Sequence, residues 1–314
     1  MDTAIRKQAS SGGAISALAC YLLDSGKVDF IAQIAVDGKD PLANTLQISR
    51  SHEDVIRAAG SRYAPSAPLQ SLHELLSTGE KFAFVGKPCD VAALRQYARI
   101  NPAVDTAVKY MLSFMCAGVP SSHGTREVIR KLGAEPKRLV SFRYRGDGWP
   151  GMARAVQDDG QSFEMDYNTS WGTILNKHLQ FRCKICPDGT GEFADITCAD
   201  AWYGQDGYPD FAERDGRSLV LARTKAGSEL LKTAAHNRAI LVEPLETAQI
   251  EKMQPYQADR KRVVLGRVIA TRLARGIAPR YRRLRLLKAS LGTSPVHWLR
   301  NCWGTLRRAV VEAQ

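Results

Sequence analysis

The sequence predicts an α/β fold with α+β character in its second half: a mixed, partly parallel sheet with flanking helices, cysteine-bearing loops and a basic helical C-terminal tail. Three observations carry this. Strand, loop and helix alternate through roughly the first 130 residues, the rhythm of a layered α/β unit. Near residue 140 the rhythm gives way to short strands joined by turn-rich segments. The last stretch is helical and rich in arginine.

The elements follow in order. After SSGG (10–13), the apolar positions Ile15, Leu18, Ala19, Leu22 and Leu23 recur at helical spacing. Ser10 or Ser11 is placed to cap that helix, and Gly26 to end it. VDFIAQIAV (28–36) reads as a buried strand, LQSLHELLS (69–77) as a short helix, and KFAFVG (81–86) as a second strand closed by GKPC. Asp90 is expected as N-cap of the helix DVAALRQYARI, and VKYMLSFMC (108–116) is a third strand. LVSFRYR, MARAVQ and QSFEMDY read as short strands around the turn GDGWPG. RSLVLART (217–224) and AILVEPL (239–245) read as strands flanking a helix near 226–235. From residue 260 the tail is helical, broken near Gly276–Pro279 and Gly292–Pro295.

The 314 residues divide into a body, 1–258, which admits a subdivision near 140, and a basic extension, 259–314. The extension holds fourteen Lys/Arg against two Asp/Glu and so accounts for the whole formal net charge of +12; the body is neutral. No apolar run reaches the roughly 18 residues that span a bilayer. The first residues lack the apolar core of a signal peptide, which points to a cytoplasmic protein. Seven cysteines, an odd count without an export signal, argue against a disulfide framework.

Thiols dominate the chemistry. Cys183 and Cys186 form a CxxC whose two sulfurs can turn to one centre. Cys89 (GKPC) and Cys116 (FMCAG) each follow a strand, where ligands gather in open α/β sheets. If these four converge they supply the thiolates of a [4Fe-4S] cube; taken singly, Cys89 and Cys116 read rather as small buried hydrophobes, and the CxxC tips both towards the cluster. One CxxC with wide spacing departs from zinc ribbons, which show two close pairs. Cys198 competes for the fourth place, whereas Cys20 belongs to a helix core and Cys302 to the tail.

SSGG offers helix-start N–H groups and glycines that admit a phosphate, or serves only as a helix cap. Arg62, Tyr63, Arg143, Arg145 and Trp149 lie in loops, as phosphate or ring contacts or as ordinary surface turns. Lys87, beside Cys89, is placed to balance negative charge. His123 stands next to the Cys116 loop.

Taken in order, RKQASSGGAISALACYLLDSGKVD, GSRYAPS, FVGKPCDVAALR, FMCAGVPSSHGT, FRYRGDGWPG and CKICPDGTGEFADITCADAW resemble the beta-subunit family of coenzyme F420 hydrogenases and dehydrogenases over roughly residues 5–205. The resemblance implies FAD, a [4Fe-4S] cluster and electron transfer between a one-electron donor and a ring substrate such as coenzyme F420. It makes Cys89, Cys116, Cys183 and Cys186 the cluster ligands and puts Ser10, Ser11, Gly12 and Gly13 at the FAD pyrophosphate. Arg62, Tyr63 and Lys87 are further flavin-contact candidates, with Arg62 and Lys87 as the catalytic cations. Relatives tend to have Gly-Asp where Ala199-Asp200 stands here.

The expected function is a flavin- and iron–sulfur-dependent oxidoreductase served by a ferredoxin-like protein, with no nucleic acid as partner. The basic tail is expected to steer an acidic ferredoxin, to touch an anionic membrane surface through RYRRLRLLK with Trp298 and Trp303, or to be a solvated helix. Two other readings are a zinc-stabilised nucleic-acid-binding module and a degenerate relative with a non-redox role in surface-polysaccharide synthesis.

Overall fold

A computed structural model describes residues 3–205 and 208–311. The short helix α1 (Thr3–Gln8) leads through SSGG into α2 (Ala14–Asp24). Then come β1 (Phe30–Val36), β2 (Asn44–Ser49), α3 (His52–Arg57), α4 (Leu72–Ser77), β3 (Phe82–Gly86), α5 (Pro88–Ala98), α6 (Ala103–Ala107) and β4 (Val108–Phe114). The main sheet is completed much later by β8 (Ile196–Asp200) and β11 (Ser218–Ala222).

Its order is β11-β8-β4-β3-β1-β2. The four central strands run parallel, and β2 and β11 close the edges antiparallel. This is the mixed sheet that the alternation predicts. Both faces are covered, and the strands show it by period-2 partition of apolar residues. Ile31, Ala83, Val85, Leu112 and Ile196 pack with Leu18 and Leu22 of α2 and Leu230 of α9 (Lys225–His236). Their neighbours Phe30, Phe82, Phe84 and Met111 pack on the opposite face with Leu75, Val91 and Leu94 from α4 and α5.

Between β4 and β8 the chain makes a second layer. Helix α7 (Ser122–Leu132) precedes a three-stranded antiparallel sheet of β5 (Leu139–Arg143), β6 (Ala153–Gln157) and β7 (Ser162–Met165). Val128 and Ile129 of α7 pack against Phe142 and Ala155 of that sheet. The short helix α8 (Phe181–Lys184) carries Cys183. The two-residue strands β9 (Gly204–Gln205) and β10 (Tyr208–Pro209) pair in a small ribbon.

Helices α10 (Thr247–Met253), α11 (Pro255–Arg275), α12 (Leu286–Ser290) and α13 (Pro295–Val311) finish the chain. The breaks fall where Gly276–Pro279 and Gly292–Pro295 put them. Residue 258 lies inside α11, so the charge boundary is not a boundary between elements. Among the described residues no helix is long and apolar enough to cross a membrane.

Several local expectations are corrected. The strand expected over 239–245 does not form: Ile240 is buried in the main core, but Leu241 and Val242 are exposed and the run joins no sheet. Neither Ser10 nor Ser11 caps α2: Gly13 takes the N-cap place in a left-handed conformation, φ 79°, with no side-chain cap. Asp90 is the third residue of α5 rather than its cap. It accepts from the Lys87 backbone N–H at 3.1 Å, so the helix begins earlier and takes in Cys89.

Candidate functional site

The loops after β3 and β4 place the first two thiols. Cys89 stands on the first turn of α5, and Cys116 follows β4 by two residues. The segment around α8 brings the CxxC to them, because backbone bonds sew the two regions together. Cys116 N–H donates to Gly189 O (2.8 Å), Gln180 N–H to Val119 O (3.2 Å) and Ser121 N–H to His178 O (2.9 Å). Gly118, at φ 120°, makes the turn; a Cβ there would meet Leu179 at 2.9 Å and the Cys183 Cβ at 3.3 Å.

The four thiols are electrostatic neighbours in a closed ring. Cys89 interacts with Cys186, Cys186 with Cys183, Cys183 with Cys116, and Cys116 with Cys89. Two backbone amides point at sulfur: Gly118 N–H at Cys116 Sγ and Val119 N–H at Cys183 Sγ, both 3.4 Å. Burial pushes the Cys89 thiol up to about 11, with Asp90 adding to the rise and Lys87 and Arg182 opposing it. Burial likewise lifts Cys116 to about 12, against the pull of the Gly118 amide and Arg260. Burial raises Cys186 as well. Among the described residues no three or more His, Cys, Asp or Glu side chains stand close enough to share one metal ion. A cube asks for something else, since it spreads four thiolates over four irons.

Cys198 does not join this ring. It packs in the main core and also borders the cavity beside Cys116, and burial alone lifts its thiol to about 12. Cys20 sits in the same core, and Cys302 is partly buried on α13.

A cavity of about 250 Å³ opens beside Cys116. Ser10, Ser11, Gly13, Arg62, Tyr63 and Lys87 all line it, together with the first turn of α2. The Ser10 hydroxyl accepts from Ser61 N–H, and the Ser11 hydroxyl bonds Ser218 Oγ at 2.9 Å, so both pin the SSGG loop. Gly12 is absent from the lining and is packed on backbone instead; a Cβ would fall 2.7 Å from Ser218 N. With no side-chain cap on α2, the helix-start amides are left to the cavity, a setting that favours an anionic group.

The two cations differ. Lys87 Nζ contacts Ser66 Oγ (2.8 Å) and Asp90 Oδ2 (2.7 Å) at the cavity wall, two residues before Cys89. Arg62 spends its donors on the scaffold: Asn44 Oδ1 (2.8 Å), Phe142 O (3.1 Å), and the carbonyls of Pro41 and Ala43 (both 2.9 Å). Tyr63 packs on Trp171, ring centres 4.6 Å apart. Arg143 donates to Gln8 O and, at 3.1 Å, to Arg145 O. Trp149 is buried in a stack on Trp202 at 4.8 Å. His123 is exposed on α7.

Sequence reasoning missed five contributors. Asp200 takes both nitrogens of the buried Arg145 (2.9 and 3.0 Å) and the Trp149 Nε1–H (2.6 Å). Burial opposes the charge on Arg145 most strongly, but Asp200 together with Tyr63 and Tyr167 outweighs it and raises the guanidinium's affinity for its proton. Tyr256 of α11 lines the cavity. Arg260 of α11 donates to Cys116 O at 3.2 Å and to Cys183 O, bridging the two cysteine loops. Gln257 supports the Cys116 carbonyl at 3.2 Å, and Arg267 donates to Lys184 O at 3.1 Å. The charge run from residue 259 announced Arg260 and Arg267 but gave no direction; Asp200, Tyr256 and Gln257 lie outside it.

Comparison with known proteins identifies the family and supports the fold. The coenzyme F420 hydrogenase/dehydrogenase beta-subunit N-terminal family model matches residues 1–73, and the C-terminal one matches residues 79–248. The chain is 26% identical over 264 residues to the coenzyme F420 hydrogenase subunit beta of Methanococcus voltae, covering 81% of this chain and 83% of that one. It is 24% identical over 270 residues to the coenzyme F420-dependent sulfite reductase of Methanocaldococcus jannaschii, covering 81% of this chain but 39% of that protein's length. Over 246 residues it is 32% identical to the F420-dependent formate dehydrogenase 1 subunit beta of Methanococcus maripaludis, covering 75% and 60%. A chain of the F420-reducing [NiFe] hydrogenase complex from Methanosarcina barkeri shares the fold, with a TM-score of 0.66 at 21% identity over 89% of this chain and 92% of that one. With the two family models spanning most of its length in order, the chain belongs to the coenzyme F420 hydrogenase/dehydrogenase beta-subunit family.

Proposed function

We propose that this protein is an oxidoreductase that holds FAD in the cavity and a [4Fe-4S] cluster on Cys89, Cys116, Cys183 and Cys186. In this reading it passes electrons between a ferredoxin-like donor and a ring substrate such as coenzyme F420. The observation that carries the reading is the ring of four thiols at the edge of a cavity floored by an uncapped helix start. Together the two groups supply passage between one-electron and two-electron chemistry.

The chain's own residues suit both groups. Cys116 belongs to the thiol ring and also lines the cavity, so the two places adjoin. The α2 amides with Gly13 take a diphosphate, and Ser10 and Ser11 hold that loop in place. Gly12 serves by letting the loop lie against β11. Lys87 sets a positive charge between cavity and thiols. Tyr63 offers a ring face at the wall, and Arg62 fixes the loop that carries it. The Gly118 amide, aimed at Cys116 Sγ, offsets part of the effect of burial on that thiol, and the Val119 amide donates to Cys183 Sγ.

Anaerobic purification with absorption spectroscopy and iron and flavin analysis tests the reading. Bound FAD, about four irons per chain and reduction of coenzyme F420 by reduced ferredoxin are expected. A colourless chain with stoichiometric zinc and no flavin would overturn it.

A further inference from the structure

The C-terminal helices have two unlike faces. On the inner side, Arg260, Lys261 and Arg267 reach the cysteine loops, and Trp298 of α13 packs over Gly266 of α11. Ala309 and Thr305 of α13 are likewise buried. On the outer side of α13, Val296 (69% exposed), Leu299 (59%), Trp303 (64%) and Val310 (47%) stand in the open. Their spacing of three, four and seven residues sets them on one stripe of the helix. Arg300 and Arg307, both exposed, fall beside that stripe. Leu287 and Leu291, on and just after α12, are 76% and 86% exposed, and Leu273 and Ile277 at the end of α11 are 73% each. The loop between α11 and α12 adds exposed Arg280, Arg282, Arg283 and Arg285.

We propose that this outer face docks the protein on the surface of an anionic lipid bilayer. Charge complementarity selects the occupant. The face belongs to the segment that carries all of the net charge, so a second copy would bring like charge against like. An acidic soluble protein answers the arginines but leaves a row of open Leu, Val and Trp without purpose. A bilayer interface answers both, with phosphates for the arginines and the boundary of the acyl region for the apolar stripe. The segment also lies outside the stretches that define the family, which end at residue 248. Because its inner side grips the cysteine loops, docking holds the thiol ring near the membrane surface.

Vesicle co-sedimentation of the full chain tests this. Vesicles of equal parts phosphatidylcholine and phosphatidylglycerol are expected to carry the protein down; phosphatidylcholine alone is not, and raised salt weakens the binding. The double variant Leu299→Ser/Trp303→Ser is expected to lower partitioning by about tenfold or more. Arg300→Glu/Arg307→Glu should lower it by on the order of fivefold for each arginine. All four residues are exposed, so circular dichroism and the melting temperature should stay near those of the parent. A chain that remains in the supernatant with anionic vesicles overturns the proposal, as does equal partitioning of parent and both variants. Self-association that Leu299→Ser/Trp303→Ser abolishes, without vesicle binding, overturns it in favour of a second copy. Capture of an acidic ferredoxin through the same residues, again without vesicle binding, overturns it in favour of a protein partner.

Discussion

The cysteine loops and the C-terminal helices touch one another, yet they are built on opposite terms. The loops belong to a neutral body: those of Cys89 and Cys116 follow the parallel strands β3 and β4, and backbone bonds hold the CxxC segment against the Cys116 loop. The helices carry the charge of the molecule, take their position from packing on the body, and leave a broad apolar face open. The first region places its chemistry through strand ends. The second places it through long side chains: Arg260 reaches the carbonyls of Cys116 and Cys183, one in each cysteine loop. Basic residues that read as a tail therefore brace the cysteine loops of the candidate site.

Breaking the loops should have the largest effect. Cys116→Ser or Cys183→Ser is expected to abolish iron retention, while Cys198→Ser keeps it, as measured by iron content after anaerobic purification. Retention by the first two and loss by the third would move the centre away from the ring of neighbours. Next comes the pair beneath the cavity. Arg145→Leu leaves Asp200 without its buried partner and is expected to cost about 3–5 kcal/mol in denaturant unfolding.

Arg260→Gln tests whether the extension is part of the site. It removes charged donors from Cys116 O and Cys183 O, with an expected loss of about 1.5–3 kcal/mol in stability. An unchanged unfolding midpoint would return the helices to the status of an appendage. The smallest effect is pH-dependent. Cys198 ionises at about 12 when folded and at about 8.5 when unfolded. The unfolded chain loses that proton first, so stability falls as pH rises from the lower value towards the upper. Comparing denaturation at about pH 8 and about pH 10, Cys198→Ala should lose less stability than the parent, by on the order of 1–2 kcal/mol.

Much of the fold was legible because buried strands advertise themselves. FIAQIAV, FAFVG and VKYMLSF are apolar enough to need cover on both faces, and only a parallel layer with helices supplies it. Strand β2 was missed because its edge position leaves NTLQIS half polar. Residues 239–245 misled in the reverse sense: an apolar run resembles a strand even where no neighbour pairs with it. In the site, spacing announced the CxxC, and strand-end position announced Cys89 and Cys116. Nothing local marked Arg145 with Asp200, which stand 55 residues apart and meet only across two sheets.

By itself the sequence determined the layered sheet, the four candidate thiols, the SSGG helix start and the segregation of charge, since each is a matter of residue type at short range. Tertiary structure alone decided that Cys198 faces the core, that Arg62 is consumed by backbone carbonyls, and that α11 grips the cysteine loops. Those outcomes depend on which surfaces meet, and a one-dimensional pattern records a side chain's chemistry but not its neighbours.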